Sequence, residues 1–83
     1  MKQMDECLNR FFNGVKPLKA KWQARWHPDY SHVMVLFHYH HRVLVYDTEN
    51  RKILEEWWEL PTDKRGLDAA KEYLKNKHQE ENV

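Results

Sequence analysis

The chain has little of what staples or punctuates a fold: one cysteine, two glycines and three prolines in 83 residues. Cys7 alone cannot close an internal disulfide. The fold must therefore hold by packing, and a reducing compartment, the cytoplasm, is the expected setting. Long apolar runs are also missing. The longest covers residues 33–37, far short of the roughly 20 residues that cross a bilayer. Mean hydropathy is −1.00 and 33% of residues are charged. The opening Met-Lys-Gln-Met-Asp-Glu lacks the apolar core of a signal peptide. With two glycines there is no Gly-rich phosphate loop, and no Ser/His/Asp pairing can be placed. A chain of this length also has little room for a pocket of several hundred Å³. The sequence therefore points to a protein that is not an enzyme and carries no cofactor.

Aromatics are what the chain has in quantity: four Trp, four Tyr and three Phe. Each can bury roughly 150–250 Å², which offsets the small share of surface, about 60–65%, that so short a chain can hide. One domain, residues 1–83, is expected. The densest apolar stretch is Val33–Tyr46, where Val33, Val35, Phe37 and Tyr39 alternate with Met34, Leu36, His38 and His40. Polar residues at 39–42 mark either a tight turn, the preferred reading, or a bend in one long strand. The turn reading lacks the Gly or Asn usual in a two-residue hairpin loop.

The flanks follow the same logic. Met4, Leu8, Phe11 and Phe12 fall on one face of a helix over 3–13, which Asn13-Gly14 ends. Residues 18–26 alternate with period two, placing Leu18, Ala20, Trp22, Ala24 and Trp26 inward and Lys19, Lys21, Gln23 and Arg25 outward. A further strand is expected over 52–59. A second helix is expected over 63–77, capped by Thr62 or Asp63, weakened by Gly66 and apolar along Leu67, Ala70 and Leu74. The tail 79–83 should fray. The fold class is α+β: an antiparallel sheet of three to four strands, flanked by an N-terminal and a C-terminal helix in two layers.

Charge is uneven along the chain. Residues 1–46 carry a net +4 and residues 47–83 a net −3. Two binding surfaces follow. Lys19, Lys21 and Arg25, extended by Arg42 with His38 and His40, form a basic row suited to phosphates of DNA or RNA. A pI of 7.9 is low for a dedicated nucleic-acid binder. Trp57-Trp58 among Glu55, Glu56 and Glu59 forms an aromatic anchor with an acidic rim, the chemistry of a protein-binding hot spot. Adjacent strand residues face opposite ways, so one Trp of the pair is expected in the core and the other outside. His38 and His40, two apart in a strand, are a weak metal pair lacking a third ligand, and no bound metal is expected. Cys7 is read as a packing residue.

Three resemblances touch this pattern. Lys21, Arg25 and Trp26 before His27-Pro28-Asp29 resemble the loop signature of J-domain co-chaperones, which implies two helices around the triad. The period-two flanks imply strands instead. The order of elements resembles the arm-binding domain of phage integrases and the double-stranded-RNA-binding domain, both of which bind nucleic acid. Thr62 and Lys64-Arg65 match their motifs only in part. The reading that emerges is a small binding module, an accessory or inhibitor protein of phage or mobile-element type, with a protein partner ahead of nucleic acid.

Overall fold

The computed structural model describes residues 1–81. The elements are α1 (Lys2–Phe12), β1 (Trp22–Trp26), β2 (Val33–His38), β3 (His41–Asp47), β4 (Lys52–Glu56) and α2 (Pro61–Glu81). The four strands form one antiparallel sheet in chain order, β1-β2-β3-β4. The α+β class with two helices flanking an antiparallel sheet is thus what the chain adopts. Among the described residues no helix is long and apolar enough to cross a membrane.

Residues 33–46 form a hairpin, not one bent strand. His38 pairs with His41 across a loop of Tyr39 and His40. Tyr39 itself takes the positive φ, 54°, that a Gly or Asn would usually supply. Register shifts between Leu36 and Phe37, opposite Val43, so Val43 and Leu44 both reach the main core. The β3–β4 loop is closed by Asp47, whose Oδ1 accepts the backbone N–H of Glu49 at 2.9 Å and of Asn50 at 3.0 Å.

The helices cover one sheet face. Met4, Leu8 and Phe11 of α1 and Leu67, Ala70 and Leu74 of α2 meet Trp22, Ala24, Met34, Leu36, Leu44 and Tyr46 in one buried cluster. The helices bind each other as well: Phe12 stacks on Tyr73 at 6.2 Å, and the Tyr73 hydroxyl donates to Asn9 Oδ1 at 2.5 Å. Val33, Val35 and Val45, with Phe37 at their edge, make a second, smaller cluster on the opposite face. Cys7 packs against the core, and burial pushes its thiol pKa up. That is the behaviour of a packing residue.

Several boundaries differ from expectation. β1 begins at Trp22, and residues 19–21 form a bend. Leu18 and Trp26 are exposed, although Trp26 still lies against Phe11 with ring centroids 4.6 Å apart. His27-Pro28-Asp29 lies between β1 and β2, so the triad joins strands and the J-domain reading falls. β4 stops at Glu56, and α2 runs on to Glu81. The expected fraying over 79–83 falls in part on residues 82–83, outside the described residues.

Gly66 is not a weakness of α2 but a fitted contact. A Cβ there would lie 1.9 Å from Cη2 of the Trp22 indole. The helix therefore crosses the sheet as close as a bare Cα allows. Gly66→Ala should destabilise the chain by about 1–3 kcal/mol through overpacking. The higher helix propensity of alanine, about 1 kcal/mol, should not rescue it. Urea unfolding of the two proteins checks this, and an unchanged or higher midpoint would contradict the contact.

Candidate functional site

The N-terminus of α2 docks on the β2–β3 hairpin through one carboxylate. Asp63 is the third residue of α2 and is fully buried. Its Oδ1 accepts from His38 Nδ1 at 2.5 Å and its Oδ2 from His41 Nδ1 at 3.0 Å. Oδ2 also accepts the backbone N–H of Leu60 at 3.0 Å and of Glu59 at 3.3 Å. A carboxylate reaching back from the third helical position satisfies N–H groups that the helix start leaves unpaired. Four donors approach two oxygens, close to the full capacity of an ionised carboxylate.

The histidines meet because of the turn. His38 ends β2, His41 begins β3, and their pairing puts both rings on the helix side of the sheet. The Trp22 indole stacks on the His38 ring at 4.1 Å and 15°. Trp57 meets the His41 ring edge-on at 5.2 Å. His38 is buried, whereas the His41 side chain keeps 34% of its surface. Burial would raise the Asp63 pKa, but the Leu60 N–H, the two imidazoles and the Glu59 N–H outweigh it and hold the group well below the usual carboxylate range.

His38, His41 and Asp63 each offer a donor atom within 4.8 Å of the others, and no other such trio of His, Cys, Asp or Glu occurs among the described residues. The His38/His40 pair is corrected here. His40 sits exposed in the loop, and His41 takes the place expected of it. A two-residue loop brings residues i and i+3 face to face, and a single-strand period of two overlooks that. The sequence marked Asp63 only as a possible cap, so its long-range role was missed.

The tryptophan pair is also corrected. Trp57 and Trp58 follow the end of β4, so no pleat separates them, and both are exposed, at 41% and 49%. Leu54 and Leu60 beside them are exposed as well. The segment is held by the Trp57 N–H, which donates to the Val43 carbonyl at 3.0 Å. Glu55 binds Arg42 at 2.9 Å and Glu56 binds Lys71 at 2.7 Å, so two of the rim acids pair within the fold. Glu59 is exposed beside them.

The basic row does not form one strand face. Lys19 and Lys21 precede β1, and His38 lies on the opposite sheet face from Arg25. Arg25 and Arg42 do share the outer face, on either side of Phe37. The Arg25 guanidinium lies 5.4 Å over the Phe37 ring and donates to Gln23 Oε1. Compared with protein-family models, curated proteins and solved structures, the chain matches nothing.

Asp63 should dominate the acid response of the fold. Asp63→Ala leaves two imidazoles and two N–H groups facing a void and should cost about 3–5 kcal/mol, the loss typical of breaking a buried pair. A carboxyl whose folded pKa is depressed adds stability that is complete above its unfolded value, near pH 4, and lost as pH falls below it. Wild-type urea midpoints should therefore fall progressively as pH drops below about 4, and those of Asp63→Asn should fall less steeply. Parallel curves would show that this carboxylate does not carry the effect.

Proposed function

We propose that the chain is a non-catalytic module of the cytoplasm that binds a partner protein through the segment between β4 and α2. The observation that carries this reading is a short stretch, from the end of β4 to the start of α2, that leaves four large apolar side chains exposed. Leu54, Trp57, Trp58 and Leu60 lie within seven residues, and each leaves between 41% and 52% of its surface open. Tryptophan is the residue most enriched among interface hot spots, where an apolar anchor sits inside a polar rim. Glu59 supplies such a rim, with Glu55 and Glu56 set by their ion pairs to Arg42 and Lys71. Apolar area left open at this many neighbouring positions supports an intermolecular role. An accessory or inhibitor protein fits this size and layout.

A second reading is favoured by a different observation. Arg25 and Arg42 flank Phe37 on the outer sheet face, where phosphate contacts and base stacking could combine. One experiment separates the two. The untagged chain is coupled to resin through its amines and exposed to lysate with and without nuclease. On the first reading, capture of a defined protein survives nuclease, and Trp58→Ala weakens it by about 2 kcal/mol or more. The melting temperature of Trp58→Ala should move little, because an exposed substitution typically stays within about 0.5 kcal/mol. Capture abolished by nuclease, or by reversing Arg25 and Arg42 to Glu, would transfer the function to nucleic acid.

A further inference from the structure

In the His38, His41 and Asp63 cluster, two imidazoles converge on the buried carboxylate from adjacent strands. Both present the same nitrogen, Nδ1, to the same group. Two imidazoles and one carboxylate are a donor set suited to zinc, iron, nickel or copper in their divalent states.

The His41–Asp63 spacing is close to what an ion needs, and all three donors lie within 4.8 Å of one another. Donors about 2.0–2.2 Å from zinc in a tetrahedron stand roughly 3.3–3.6 Å apart. His41 Nδ1 lies 3.0 Å and 3.2 Å from the two Asp63 oxygens. His38 Nδ1, at 2.5 Å from Oδ1, has to open by about 1 Å. With Asp63 ionised, each Nδ1 carries the hydrogen of its bond. An ion would take the place of those two hydrogens, each ring presenting its Nδ1 lone pair and carrying its proton on Nε2.

The surroundings already resemble the supporting shell of a metal site. Such a shell hydrogen-bonds the ligating carboxylate and fixes the imidazoles by packing. Here the Leu60 and Glu59 N–H groups hold Asp63, Trp22 lies flat on the His38 ring, and Trp57 buttresses His41. The cleft beside His38 is bordered by Lys21 and Arg65, which repel cations. The open side of His41 offers the better approach.

We infer that His38, His41 and Asp63 form a binding site for one divalent transition-metal ion, clamping the start of α2 to the β2–β3 hairpin. The test uses the full untagged chain, freed of metal by chelator and titrated with Zn²⁺ by calorimetry and with Co²⁺ by visible absorption. One equivalent should bind, with the intense d–d absorption of a low-symmetry four-coordinate site. His41→Ala, with its fold verified by circular dichroism, should weaken binding by more than about 100-fold, beyond the 10–100-fold typical of losing an outer-shell partner. His40→Ala and His32→Ala should bind as wild type. Saturating Zn²⁺ should also raise the melting temperature of wild type and leave that of His41→Ala unchanged. Absence of stoichiometric binding would overturn the site, as would binding that survives His41→Ala or disappears with His32→Ala.

Discussion

An ionised carboxylate can be buried only where enough donors replace the water it gives up. Asp63 meets that condition with two imidazoles and two backbone N–H groups, and much of the structure is arranged to supply them. The hairpin must turn in two residues so that His38 and His41 face the same way. The chain from β4 must arrive so that Glu59 and Leu60 point their N–H groups back at the carboxylate. Asp63 then fixes the rotation of α2. Leu67, Ala70 and Leu74 follow it at helical spacing onto the sheet, and Gly66 comes to rest against Trp22. A rotation of α2 by one residue would unpair a charge and clash with an indole together.

How far the sequence foretold this depends on the range of each signal. Local periodicities were readable. The stripe of Met4, Leu8 and Phe11 marked α1, and the unbroken apolar run Val33–Phe37, buried on both sheet faces, marked β2, because each signal lies within a few consecutive residues. The ends of elements were harder. Trp57-Trp58 read as strand because aromatics favour strands, yet β4 ends at Glu56 and residues 57–60 form a connection that leads to α2 at Pro61. The alternation of Leu18–Lys21 likewise had no partner strand to sustain it. The site was the least legible part. His38, His41 and Asp63 are separated by a turn and by a further strand, and only the fold brings them together. An acidic residue at the third helical position hinted at a cap, but nothing local said that its second oxygen faced a histidine.

The charge asymmetry of the sequence is bridged in part by an ion pair between its two halves. Arg42 from the basic half pairs with Glu55 from the acidic half, and Glu56 pairs with Lys71 across the β4–α2 layer. Exposed pairs of this kind contribute little each, but they place acids and bases side by side on the same edge. What remains distinctive on the surface is apolar. The four tryptophans divide into Trp22, wedged in the core, Trp26 lying on α1, and the exposed neighbours Trp57 and Trp58. The apolar rim and the histidine cluster also touch, because Trp57 packs on His41. An event at one is therefore in a position to be felt at the other.

The order of the strands has a consequence for how the chain comes to its shape. Every strand pairs with its neighbour in sequence, so each hairpin closes a short loop at little entropic cost. The sheet can assemble pair by pair from local encounters. Its inner face is covered from two sides, by α1, which precedes the sheet in the chain, and by the 21-residue α2, which follows it. That helix is also the last described part of the chain to emerge in synthesis. Until α2 follows, α1 alone can cover that face, and the latching of Asp63 between the two histidines completes the cover.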